Sequence, residues 1–227
     1  MTPSSAGSQA TPLDDAQLTR DGLPGTGMDA GPGRVLVIAC GALAHEITAL
    51  IRANGWDHIN LTCLPAIWHN SPERIAKGVE DLVARHRKEY ENIFVAYADC
   101  GTGGALQQAC DRLGVAMIEG PHCYSFFEGN ATFAAHGEDE ITTFYLTDFL
   151  ARQFEAFVIR PLGLDRYPDL RDTYFGNYEK LVYLAQTRDP ELDRRARDAA
   201  TRLGLAYERR QTGYGDLETA LKRVAGT

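Results

Sequence analysis

A chain of 227 residues, 44% hydrophobic and 24% charged, is long enough to bury one large or two small α/β cores and has the balance of an ordinary globular protein. Its net charge of −8 argues against nucleic acid or an anionic membrane as the main partner. No apolar run approaches the ~20 residues that a membrane-spanning helix needs.

Residues 1–33 are rich in Gly, Pro, Ser and Thr and lack an apolar segment, which predicts a disordered leader and not a signal peptide. A single α/β domain over 34–227 is expected to follow. It divides naturally into half-domains over 34–124 and 179–227, joined by a helical segment. Residues 34–40 form the first predicted strand, which runs through Cys40-Gly41 into a helix over 42–53 that stops at Asn54-Gly55. Residues 58–64 are a second strand, closed by Pro65. After a loop with Trp68, His69 and Asn70, Ser71 as N-cap and Pro72 at the first helical position open a helix that runs to about Tyr90. The short apolar run 93–98 then breaks at Asp99-Cys100 into three glycines within 101–104. A helix over 105–113 ends at Gly114, and 115–119 is a fourth strand leading to His122, Cys123 and Tyr124. Four βα units in a row predict a Rossmann-like parallel sheet flanked by helices.

The middle, 125–178, reads as mostly helical and aromatic-rich. Its clearest stretch is 142–157, with Phe144, Leu146, Phe149, Leu150, Phe154 and Phe157 as core candidates. A βαβα section closes the chain, with strands over 181–185 and 205–208 and helices over 191–203 and 217–224. Residues 111–119 echo 201–208, from the shared grammar of a helix–Gly–strand junction or from an ancient duplication.

Parallel strands bring their C-terminal ends to one edge of a sheet. That edge would collect Cys40, His69, Asp99, Cys100, His122 and Cys123 although they are distant in sequence. Thiolate and imidazole are the usual zinc donors, so Cys40, Cys100 and Cys123, with His122 or His69 as the fourth, are the expected metal ligands. Zinc is the expected ion, with iron as the alternative. Cys100 stands at a helix N-terminus, where a thiolate is stabilised, and Asp99 would orient a ligand or act as base. Gly101, Thr102, Gly103 and Gly104 could cradle a substrate carboxylate or phosphate with backbone N–H groups, with Tyr124 beside them. Cys63 and Cys110 read as core residues, and His58, His86 and His136 as surface ones. His45 falls in the first turn of its helix, and Arg188, Thr212 and Tyr214 lie at strand ends of the distal half. Five cysteines, an odd number, do not make a disulfide framework and point to a reducing cytoplasm.

The segments VIACGALAHE (37–46), LPAIWHNSPE (64–73), YADCG (97–101) and EGPHCY (119–124) resemble a family of bacteria and archaea catalogued as a domain of unknown function. The resemblance covers roughly 34–225. Members of that family are often encoded beside corrinoid-dependent methyltransferases of the trimethylamine and glycine betaine type. The resemblance therefore implies a role in one-carbon or methylamine metabolism, with a corrinoid protein or methyltransferase as partner. It supplies no catalytic residues.

Three functions fit these residues. One is a metal–thiolate protein of methyl transfer acting on a small molecule, with a homo-oligomeric state left open. Another is a metal-free cysteine racemase or lyase acting on a small amino or carboxylic acid. The last is a non-enzymatic accessory of a corrinoid methyltransferase system.

Overall fold

The computed structural model describes residues 13–25 and 33–226. A short helix, α1 (Asp15–Arg20), precedes a parallel sheet built from β1 (Val35–Cys40), β2 (Ile59–Leu64), β3 (Asn92–Ala96) and β4 (Ala116–Met117). Their spatial order is β2-β1-β3-β4, and they are connected through α2 (Ala44–Asn54), α3 (Glu73–His86) and α4 (Ala105–Leu113). β1 is the central strand, with Val35 to Cys40 paired to Ile59 to Leu64 on one side and Val35 to Ala39 paired to Asn92 to Ala96 on the other. Every residue of β1 and β2 is buried, which is why these strands read as continuous apolar runs and not as an alternation. The two polar side chains in β2 are satisfied: Asn60 donates to the Tyr90 hydroxyl at 2.7 Å and Thr62 to the Leu23 carbonyl at 3.0 Å.

Two small helices, α5 (Ser125–Glu128) and α6 (Asn130–His136), lead to a second parallel sheet of order β5-β6-β7. Its strands are β5 (Thr143–Thr147), β6 (Lys180–Ala185) and β7 (Ala206–Gln211). The helices of this half are α7 (Asp148–Arg152), α8 (Leu170–Phe175), α9 (Pro190–Leu203) and α10 (Gly215–Ala225). One continuous apolar core joins the two sheets, from Val37 and Ile38 of the first to Leu181 and Tyr183 of the second. Among the described residues, no helix is long and apolar enough to cross a membrane.

Three sequence expectations are corrected. The stretch 142–157 is not one helix, because Thr143–Thr147 is a strand. Its apolar spacing fits a helical period, but Thr, Phe, Tyr and Thr favour a pleated surface, and pairing with β6 decides the outcome. Thr147 then caps α7, accepting from the Leu150 N–H at 3.3 Å. Ser71 does not cap α3, which starts at Glu73 after Pro72; the Ser71 carbonyl instead takes the Arg74 N–H at 3.0 Å.

The predicted leader is the third correction over its described part. Asp14 caps α1 through the Ala16 N–H at 2.9 Å, and Leu18 is buried. Gly41 admits this helix: a Cβ there would stand 2.5 Å from the Leu18 carbonyl. Leu23 then pairs with Cys63 along the outer edge of β2, so that edge is covered. The rest of the expected leader, 1–12 and 26–32, lies outside the described residues.

Asp15 ties the halves together, contacting His45 of α2 at 2.7 Å and Arg152 of α7 at 2.8 Å. Burial opposes its ionisation, but the His45 hydrogen bond and the Arg152 charge hold its carboxyl below the usual range. Asp15→Asn should therefore cost about 2 kcal/mol in urea unfolding at neutral pH. The difference should close as acid protonates the wild-type carboxylate, because a lowered folded pKa confines the contribution to the ionised form.

Candidate functional site

From β1 the chain passes to β2 on one side and later returns to β3 on the other. This reversal makes a topological switch point at the C-terminal ends of β1 and β3, the place where open α/β sheets bind ligands. Cys40 ends β1 and Cys100 follows β3. The loop after β3 is fastened to the loop after β4 by two backbone hydrogen bonds, Asp99 N–H to the Gly120 carbonyl and Cys100 N–H to the Pro121 carbonyl, both 3.0 Å. They bring Cys123 to Cys100, with the two sulfurs 3.1 Å apart and unbonded.

Cys100 has φ +46°, the one positive φ of a non-glycine residue among those described. Such a backbone costs on the order of 1–3 kcal/mol and tends to occur where geometry serves function. Asp99 holds the turn that follows, accepting from the Thr102 hydroxyl at 2.8 Å and from the N–H groups of Gly104 at 2.7 Å and Gly103 at 3.2 Å. Despite some burial, these donors keep its carboxyl below the ordinary range. The glycine N–H groups expected to cradle a substrate thus serve Asp99, and Asp99, expected as a base, is spent on the turn. Gly101, Gly103 and Gly104 are needed there for their φ of +83°, +62° and +84°.

The thiols are not equivalent. The hydrogen bond shared with Cys123 pulls the Cys100 thiol well below its ordinary pKa against the cost of burial, with a smaller lowering from His69. Cys123 moves the opposite way, raised by that same contact and by burial. Burial pushes Cys40 up to about 12, with the nearby Tyr97 hydroxyl acting weakly in the other direction. His69 is exposed on a 3-10 turn, Ala66–Asn70. His122 stacks on Tyr124 with ring centres 4.9 Å apart, and Tyr124 stacks in turn on Tyr145 at 5.2 Å. Burial lowers the His122 pKa, and its Nδ1 is enclosed without a hydrogen-bond partner. Tyr124 is raised to about 12, first by burial and then by the Cys100 charge, which places it beside the same thiols.

The expected donors share one sheet edge but do not form a ready metal site. Sulfurs on a tetrahedral zinc ion stand about 3.8 Å apart, whereas Cys100 and Cys123 are at 3.1 Å. Among the described residues, the one set of three or more His, Cys or carboxylate donors mutually within 4.8 Å is Glu128, His136 and Glu140. There the Arg210 guanidinium already bonds Glu128 at 3.0 Å and also Glu140, while Lys180 reaches Glu140 at 2.9 Å. That cluster is an ion-pair network with its cations built in, and His136, expected at the surface, belongs to it. Cys63 and Cys110 are buried, as expected of core thiols.

A second group escaped the sequence reading. Glu46, beside His45 in the first turn of α2, is only 4% exposed, and its Oε2 has no hydrogen-bond partner. It faces a cleft of about 440 Å³ between the two sheets, with Asp148, Arg152, Thr187 and Tyr214 across from it. An acid on an otherwise apolar helix face, with Leu43, Ile47 and Leu50, is the signal the sequence carries. Of the distal strand-end residues, Tyr214 lines this cleft, Arg188 lines a shallow depression beside α9, and Thr212 donates to the Ala185 carbonyl at 3.3 Å.

The sequence matches the family model described as "Protein of unknown function (DUF1638)" over residues 63–221. The chain belongs to that family. The matched span includes His69, Cys100, Cys123, Asp148 and Arg152, while Cys40 and Glu46 precede it. No curated protein and no solved structure matches the chain.

Burial raises the Glu46 pKa from 4.5 to about 7, so the folded protein holds a proton that the unfolded chain releases. Stability should fall as pH rises across that interval and then level off. In Glu46→Gln the decline should flatten, with a gain of up to about 3 kcal/mol at mildly alkaline pH in denaturant titrations.

Proposed function

We propose that this protein is a cysteine-dependent enzyme of small-molecule group transfer, with Cys100 as the nucleophile. The observation that carries this reading is the Cys100 thiol, held in a left-handed backbone conformation with its sulfur 3.1 Å from that of Cys123 at the sheet's switch point, and with its pKa lowered by that contact. In the transfer step the Cys100 sulfur attacks an electrophilic carbon, and the C–S bond forms as the leaving group departs with its electron pair. His122 and Tyr124 form the face along which the substrate lies. Cys40, protonated and enclosed, ends β1 at the same switch point.

A racemase with Cys100 and Cys123 on opposite faces of a carbon is disfavoured, since sulfurs at 3.1 Å leave no space for that carbon. The one-carbon setting rests on the resemblance alone. A methyl group is the smallest substrate that an activated thiolate could take, and a corrinoid protein or methyltransferase would be the partner that supplies it.

A metal-bound reading is favoured by one observation, three thiols and His69 at a single edge. Cys40, Cys100, Cys123 and His69 would have to draw together to hold zinc or iron. One experiment separates the readings: metal analysis together with peptide mapping after brief iodoacetamide treatment at mildly acidic pH. The expected outcome is metal-free protein labelled first at Cys100, with slower labelling of Cys100 in His69→Ala and Cys123→Ser. Near-stoichiometric zinc or iron, lost in Cys100→Ser, would replace this proposal with the metal–thiolate one.

A further inference from the structure

The cleft between the sheets is separate from the thiol site and of a size that suits a small ligand. Its polar groups divide into those already satisfied and those left open. Asp148 is satisfied: it accepts from the Tyr183 hydroxyl at 2.6 Å, the Gln186 N–H at 3.1 Å, and the Thr187 N–H and hydroxyl at 3.0 and 2.5 Å. It fixes the β5 and β6 ends and offers a ligand little. Glu46 Oε2 is enclosed without a hydrogen-bond partner. Arg152 stands in an ion pair with Asp15 through Nε at 2.8 Å, but neither its Nε nor its Nη2 has a hydrogen-bond partner, and both are enclosed. The two groups feel each other's charge without sharing a hydrogen bond. One comes from each half of the molecule, and leaving both open in the absence of a ligand is costly.

A metal cation is a poor fit, because Arg52 and Arg152 add positive charge to the walls. A phosphate is equally poor, because Glu46, Asp148 and Asp189 add negative charge. A ligand carrying both signs satisfies both open groups. We propose that the cleft binds a small zwitterion of the α-amino acid class, its ammonium donating to Glu46 and its carboxylate accepting from Arg152. Leu13 and Leu192 leave an apolar side for a short side chain.

Two-dimensional NMR titration of isotope-labelled full-length protein with each of the proteinogenic α-amino acids tests this, with butylamine and butyrate as single-charge controls. At least one amino acid should give saturable shifts centred on Glu46, Arg152 and Thr187. Both controls should bind roughly tenfold or more weakly, as expected when one charged hydrogen bond is missing. Glu46→Gln and Arg152→Gln should each weaken binding by a similar factor, and Cys100→Ser should leave it unchanged. The proposal is overturned if no amino acid saturates, if butylamine or butyrate binds as tightly, or if the shifts centre on the Cys100 loop. Should either cleft variant unfold, the wild-type shift map and the two controls decide the matter alone.

Discussion

Two backbone hydrogen bonds between the loops after β3 and β4 set the chemistry of the molecule. They run from Asp99 and Cys100 to Gly120 and Pro121 and fix Cys100 in a conformation that its side chain disfavours. Without them Cys123 would have no reason to stand beside Cys100, since 23 positions separate the two in sequence. The Asp99 turn reinforces the clamp from the other side, using a charged acceptor to bind the glycines into one shape. Strain, burial and hydrogen bonding then act on a single sulfur: strain aims it, burial removes competing water, and the contact with Cys123, with a smaller effect from His69, lowers its pKa.

The two halves of the chain divide the work. The first sheet reverses its winding between β1 and β3 and so makes the switch point at which the thiols stand. The second sheet winds in one direction and contributes walls: Tyr145 behind Tyr124, and Asp148 and Arg152 opposite Glu46. Asp15, from a segment before either sheet, links His45 in the first half to Arg152 in the second. The relative placement of the halves, and with it the cleft, therefore depends on a residue near the start of the chain.

Much of this was legible in the sequence because local and global signals agree. β1 and β2 are apolar runs bounded by glycine and proline, and α4 was predictable to the residue. The echo between 111–119 and 201–208 reflects the same junction: Gly114 and Gly204 both end their helices in a left-handed cap and turn directly into a strand. The convergence of Cys40, Cys100 and Cys123 followed from parallel topology alone. What sequence could not supply was anything set by tertiary pairing. β5 hides inside a helical spacing until β6 pairs with it. The Gly103 and Gly104 N–H groups look available until Asp99 takes them. Glu46 looks like a surface acid until the second half closes over it.

The account is tested most directly by titrating the Cys100 thiol, read as the difference in thiolate ultraviolet absorbance between wild type and Cys100→Ser across pH. The clamp and the Cys100–Cys123 contact predict a thiolate already formed below neutral pH, and a midpoint that moves up in Cys123→Ser. A midpoint near the ordinary value of 9.0, unchanged by Cys123→Ser, would contradict it.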